Sequence, residues 1–197
     1  MEIEYKFAAS AATLAAVLQD PMVQRRRTEP VRTLAMRTRY FDTPDASLRQ
    51  AGITLRLREE NDRTIACCKS RGTRTGSLSA HEEWEVEAKE LQLAIPKLIA
   101  LGAPEVLREL DGLRVTATAA FTRRCAVLRM SEQTLAELSC DEGLLAGPTE
   151  QEPLSELELE LKSGVLEDLT PFLQALRAHY PLPPEPRSKL ARALALG

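Results

Sequence analysis

Two stretches of this 197-residue chain carry carboxylates at every second position. Near the start, Glu2, Glu4 and Lys6 alternate with Ile3, Tyr5 and Phe7; near the end, Glu156, Glu158, Glu160 and Lys162 alternate with Leu157, Leu159 and Leu161. Between them, Arg56 and Arg58 alternate with Leu55 and Leu57, and Glu83, Glu85 and Glu87 with Trp84 and Val86. In an extended strand, side chains at i and i+2 share a face, so each run has one apolar and one charged face. A solvated sheet face is the commonest cause of such alternation. Solvated faces mix signs, however, because like charges at neighbouring positions repel. Here the acids gather on the first and last runs and the arginines on one between. Carboxylates about 7 Å apart along one face need a cation nearby. Oxygen donors of this kind suit a hard divalent ion, Mg²⁺ or Mn²⁺. Guanidinium groups suit a polyanion, because they meet phosphate through paired contacts. A closed barrel with a charged lumen and an apolar outer face accounts for the arrangement.

The period-two pattern predicts strands at residues 2–7, 32–42, 53–59, 64–70, 82–87, 135–141 and 154–162, with two more within 114–130. Asn61-Asp62 marks a hairpin turn, residues 72–79 form a loop rich in Gly, Ser and Thr, and Glu142-Gly143 ends a strand. Helical spacing predicts helices at 11–19 behind an N-capping Ser10, at 95–101, at 166–179 and at 188–196. The longest of these has a stripe of Leu166, Leu169, Phe172, Leu173 and Leu176. The prolines of 181–186 make a rigid connector. Arg37 and Arg39 are out of phase with Tyr40 and face outward.

Composition narrows the class. The hydrophobic fraction is 44% and the charged fraction 28%, as in an ordinary globular domain, and the formal net charge is −3. Nothing in that total calls for nucleic acid or a membrane. No stretch approaches the roughly 18 apolar residues of a membrane span, and the first residues lack the features of a signal peptide, so a cytoplasmic location is expected. Cys67, Cys68, Cys125 and Cys140 match no zinc spacing and are expected to be buried thiols. His81 and His179 stand alone and are expected to be structural or surface residues.

The motifs, taken in order, resemble those of the CYTH superfamily, the triphosphate tunnel metalloenzymes. Glu2, Glu4 and Lys6 match its E-x-E-x-K signature. Tyr40-Phe41-Asp42-Thr43-Pro44 resembles its Y-[FY]-[DE]-T-P turn, and Leu55-Arg56-Leu57-Arg58 its L-R-x-R. Lys69 ends the next strand, and Glu83 sits in an acidic strand after it. Phe121-Thr122-Arg123 resembles F-x-R, residues 156–161 resemble E-L-E-L-E-L, and Ser188, Lys189 and Arg192 resemble S-K-x-x-R. Ala193-Leu194 departs from the Gly-Tyr usual after that arginine. The bacterial inorganic triphosphatase branch is the most similar, and its members often carry a second, helical domain after the barrel, which would be a further domain outside these 197 residues.

The resemblance implies a single domain over 1–197 of α+β class: an eight-stranded antiparallel β-barrel, or tunnel, with helices packed on the outside. It implies that Glu2, Glu4, Glu158 and Glu160 bind a divalent cation, with Glu156 joining them or supporting a second ion. It implies that Lys6, Arg56, Arg58, Lys69, Arg123 and Lys189 bind the phosphates, and that Glu83 or a second ion activates water. Glu83 and Lys189 have structural alternatives, as an ion pair with the arginines and as an anchor of the last helix. The expected substrate is triphosphate or short polyphosphate. Competing readings are a class IV-type adenylate cyclase or thiamine triphosphatase of the same fold, and a non-catalytic polyphosphate-binding module. Five crowded carboxylates should repel without metal, so Glu158→Gln is expected to stabilise the empty protein.

Overall fold

Alternation along the chain becomes ten strands of one antiparallel sheet in the structure, a computed structural model that describes residues 1–197. They are β1 (Glu2–Ala8), β2 (Arg32–Asp42), β3 (Thr54–Glu60), β4 (Arg63–Lys69), β5 (Thr73–Thr75), β6 (Leu78–His81), β7 (Glu83–Glu87), β8 (Arg114–Arg129), β9 (Leu135–Ala146) and β10 (Gln151–Ser163). Their order is β5-β6-β1-β10-β9-β8-β2-β3-β4-β7. The first and last strands of the sequence are therefore neighbours, with Glu4 opposite Glu160 and Lys6 opposite Glu158. The far ends of the order also meet. Strand β6 passes through Glu82 alone into β7, and Lys69 on β4 reaches Glu2 on β1. The sheet curls into a tunnel closed by this crossing rather than by a continuous ladder.

Ten strands replace the expected eight because the loop 72–79 contains a short hairpin, β5 and β6, whose register extends β1 with Glu2 opposite His81. Residues 114–130 form one long strand, not two. Strand β9 does not stop at Glu142-Gly143 but runs on to Ala146. Gly143 is there for space: a Cβ would lie 2.6 Å from the Phe121 Cβ and 2.2 Å from the Ala120 carbonyl oxygen. Glycine inside a strand often marks such a close approach.

Helices cover most of the outer face. They are α1 (Ala11–Gln19), α2 (Pro21–Arg26), α3 (Ser47–Ala51), α4 (Leu91–Ala100), α5 (Thr170–His179) and α6 (Lys189–Leu194). Ser10 caps α1 as expected, accepting from the Thr13 amide at 3.1 Å. Helices α2 and α3 were not legible: at six and five residues they carry too little periodicity, and unlike α6, also six residues long, they lie in no motif of the family. Helix α4 begins at Leu91 rather than at 95, and Pro96 lies inside it. Residues 166–169 form a 3₁₀ turn before α5.

The core divides by face. On the outside, Phe7, Leu138, Leu157 and Leu159 of β1, β9 and β10 pack on Leu14 and Val17 of α1 and on Phe172, Leu173 and Leu176 of α5. A second outer cluster joins Leu55, Leu57, Ala66 and Cys68 to Leu91, Ala94 and Leu98 of α4. The third cluster lies inside the tunnel. Met36, Tyr40, Ala119, Phe121, Leu145 and Leu154 meet Ala193, with Leu190 and Leu194 beside it. Helix α6 thus fills part of the inner face, unlike the five helices before it. No helix is long and apolar enough to cross a membrane.

Candidate active site in the tunnel

Register carries the charged faces of the strands into one lumen. Each residue at an even position on β1 and β10 faces inward, and so do Arg56 and Arg58 of β3, Lys69 of β4, Glu83 and Glu85 of β7 and Arg123 of β8. The cavity they enclose is about 250 Å³. Of the residues singled out in the sequence, Glu2, Glu4, Lys6, Arg56, Arg58, Lys69, Glu83, Arg123, Glu158, Glu160 and Lys189 all line it. Glu156 does not. It also faces inward, but α6 covers it, and its carboxylate is fully buried between Lys189 and Arg192.

On one side of the lumen, the Lys69 ammonium contacts Glu2, Glu83 at 3.2 Å and His81 at 3.2 Å. His81 Nε2 also lies 2.6 Å from Glu2. Arg56 donates to Glu83 Oε1 at 3.2 Å, and the buried Cys67 thiol donates to the same oxygen at 2.8 Å. Burial opposes ionisation of Glu2, but His81 and Lys69 overcome it and hold the carboxyl well below the ordinary carboxylate range. Its neighbour goes the other way. Burial, with Glu2 adding to it against Lys69 and Arg56, pushes Glu83 up to about 7. Two carboxylates a few ångströms apart do not ionise equally.

On the opposite side, Arg123 grips Asp141 with two hydrogen bonds at 2.8 and 2.7 Å and Glu158 with one at 2.6 Å. Lys189 lies 2.8 Å from Asp141 and 2.9 Å from Glu158, and it contacts Glu156. Burial opposes ionisation of Glu158, but Lys189, Arg123 and Lys6 hold it well below the ordinary range. Burial raises Glu156, with Glu158 and Asp141 adding to it against Lys189 and Lys6. Glu4 accepts from Ser79 at 3.3 Å and lies 3.7 Å from Lys6, while Glu160 pairs with Lys162 at 2.9 Å. Two donors of lumen arginines are buried without a hydrogen-bond partner: Arg56 Nε, and Arg58 Nε, which is ion-paired with Glu60 at 2.7 Å.

The carboxylates therefore do not form one cluster. Those of Glu2 and Glu83 gather with His81, and those of Asp141, Glu156 and Glu158 gather behind Lys189; either group has ligand atoms close enough to hold a metal ion. Between these groups, Glu4 and Glu160 are opposed across β1 and β10 and have the lightest commitments to cations. This donor set is oxygen-dominated and suits a hard divalent ion.

Two participants, His81 and Asp141, escaped the sequence reading, and a third, Arg192, was read only as part of the S-K-x-x-R motif, with no role in the site. His81, expected to be structural or superficial, points into the lumen; it stands two residues before Glu83, a spacing hidden when residues 72–79 are read as loop. Asp141 continues the inward series Glu137, Ser139 and Asp141, and is fully buried. Arg192 stands one helical turn after Lys189. As expected, Arg37 and Arg39 are exposed, and all four cysteines are free and buried.

Comparison with known proteins gives one consistent picture. The sequence model of the family described as CYTH domain matches residues 1–194. A curated relative, the inorganic triphosphatase of Haemophilus influenzae, is 28% identical over 159 residues, which are 80% of this chain and 45% of the relative. The matched stretch thus spans less than half of that relative's length. Among solved structures, a Hippeastrum protein described as an adenylyl cyclase candidate with a dominant triphosphatase activity superposes with a TM-score of 0.68 at 21% identity, covering 99% of this chain and 96% of its own. The PH1819 protein of Pyrococcus horikoshii superposes with a TM-score of 0.64 at 17% identity, covering 99% of each chain. At these identities the two structures speak for the fold alone.

Proposed function

Because the chain belongs to the CYTH domain family, we propose that it is a divalent-metal-dependent hydrolase that cleaves inorganic triphosphate to pyrophosphate and phosphate. The observation that carries this reading is the lumen itself. Lys6, Arg56, Arg58, Lys69, Arg123 and Lys189 converge on about 250 Å³ beside carboxylates of β1 and β10. That space and its cations suit a short, highly charged anion. Neither aromatic side chain in its wall offers a free face for a base. Tyr40 is buried, and Phe121 lies under Arg123 at 5.8 Å and Lys189 at 5.2 Å. This favours an inorganic chain over a nucleotide. The inorganic triphosphatase from Haemophilus influenzae supports the same substrate.

In this mechanism the cationic side chains hold the phosphates in line and offset the charge that builds up on their oxygens. Arg56 contributes its unused Nε–H. Glu83 orients the attacking water and takes its proton. A carboxylate pushed up to about 7 is suited to that work near neutral pH. Glu2, Glu4, Glu158 and Glu160 would hold the divalent ion. When bound, it would withdraw charge from the phosphate oxygens and lower the pKa of a coordinated water. Glu156 is assigned to α6 rather than to the metal, since it is sealed behind that helix by Lys189 and Arg192 and, unlike Glu158, does not line the cavity. Four free thiols fit a reducing compartment, so a cytoplasmic site of action belongs to the proposal.

Phosphate release from tripolyphosphate, ATP, thiamine triphosphate and long-chain polyphosphate, each with and without Mg²⁺, tests the reading. Tripolyphosphate should be cleaved fastest and only with the ion. Preference for ATP or thiamine triphosphate would replace the substrate, and tight polyphosphate binding without cleavage would replace catalysis with binding.

A further inference from the structure

Arg192 lies one turn beyond Lys189 on α6, and all of its polar contacts run backwards into β10. Nε donates to Glu152 at 2.9 Å, Nη1 to Glu156 at 2.9 Å and Nη2 to the Pro153 carbonyl oxygen at 3.3 Å. Glu156 takes Arg192 on one oxygen and Lys189 on the other, and none of it reaches solvent. The Lys189 ammonium has three hydrogens to donate, and it faces three carboxylates: Asp141, Glu156 and Glu158. Each of these acids shares its charge with an arginine. Arg123 bridges Asp141 and Glu158, and Arg192 holds Glu156.

Remove Arg192, and Glu156 becomes a buried carboxylate whose close cation is Lys189. A buried charge that loses one partner draws strongly on the other. The ammonium would be pulled behind α6 and away from the lumen. The seat of α6 leaves the helix little freedom to compensate. Gly147 lies so close beneath it that a Cβ there would come within 2.1 Å of the Ala193 carbonyl oxygen.

We propose that Arg192 is a positioning residue: it neutralises Glu156 behind α6 and so leaves the Lys189 ammonium free to turn from its carboxylates to a phosphate oxygen. This rests on the tunnel being the triphosphate site. Arg192 does not touch the substrate; it acts through Glu156 on a lysine that does.

The test is steady-state hydrolysis of tripolyphosphate with Mg²⁺ by the full chain. Arg192→Met keeps the stem and removes the charge. Its KM should rise roughly tenfold, the loss expected for one charge-assisted phosphate contact, while kcat stays within about twofold of the parent. Glu156→Gln with Arg192→Met removes the captor as well, and KM should return to within about threefold of the parent, because coupled neighbours are not additive. Arg192→Met with the parental KM, or a double variant no better than the single, overturns the proposal. If Arg192→Met does not fold, Glu156→Gln alone is compared with the double variant. Their KM values should agree within about twofold, since nothing is left to neutralise, and a gap of about fivefold or more overturns it. A parent protein that neither binds nor cleaves tripolyphosphate overturns the tunnel reading and this proposal together, whereas an active parent with a parental Arg192→Met overturns this proposal alone.

Discussion

Single residues in the lumen work in opposed pairs, and the opposition makes their behaviour testable. Glu83 is raised from an ordinary 4.5 to about 7, chiefly by burial. Its native state therefore binds a proton that the unfolded chain has already lost. The stability this contributes is complete below about pH 4.5 and disappears as pH rises to about 7. Glu2 and Glu158 are held low and act in the opposite sense, but their contribution is lost only at acid pH, below the ordinary carboxylate range. Thermal unfolding of the metal-free protein between pH 4.5 and 7.5 should show a falling Tm, and Glu83→Gln should flatten that fall; an unchanged slope would remove Glu83 from this role. Glu158 corrects an expectation drawn from the sequence. Crowded acids suggested that Glu158→Gln would relieve repulsion and stabilise the empty protein. In the structure Arg123 and Lys189 already compensate Glu158. Its loss should instead leave two buried cations short of a partner and destabilise the fold by about 3 kcal/mol. Urea unfolding of this variant, with its hydrolysis rate, checks the sign: both stability and activity should fall.

Elements are placed by register, and the sharpest constraint falls on β9. Because β9 continues straight past Gly143, the Phe121 side chain can lie against bare backbone and carry Lys189 and Arg123 over its ring. Gly143→Val should cost about 1–3 kcal/mol through overpacking, and it should also weaken tripolyphosphate binding by displacing Phe121. Denaturant unfolding and a binding isotherm measured on one preparation check both parts. Stability lost with unchanged affinity would separate Phe121 from the site. The strands themselves were legible wherever one face was apolar and the other charged, as in β1, β3 and β10. The β5–β6 hairpin was not, because seven strand residues with little apolar character gave no alternation to read. The end assigned at Gly143 failed for a different reason. Glycine is a turn signal locally, and only the neighbouring strand shows that it answers a steric demand.

At the scale of the whole molecule, the tunnel holds many charges of both signs at close range. A ligand that binds only the folded state stabilises it by mass action. Tripolyphosphate with Mg²⁺ should raise Tm by several degrees at 100 times Kd, where linkage gives about 2.7 kcal/mol. Removing the ion with a chelator should reduce that shift and abolish hydrolysis. A shift that is unaffected by chelation would argue for an anion site without a metal.

The sequence by itself determined the strand faces, the acid and arginine runs on them, and hence a charged lumen inside an apolar shell. Period two is imposed by backbone geometry, so Glu2, Glu4 and Lys6 had to share a face in any strand. It also supplied eleven of the cavity's lining residues, because each lies in a strand with clear alternation or in a motif of the family. Tertiary structure alone decided which charges meet. Glu156 and Glu158 are indistinguishable in the run 156–161, yet one lines the cavity and the other is sealed behind α6. That difference depends on where a helix that begins 33 residues after Glu156 comes to rest. His81, Asp141 and Arg192 likewise gain their roles from partners distant in sequence, and the energy of a charge depends on its neighbours and its burial.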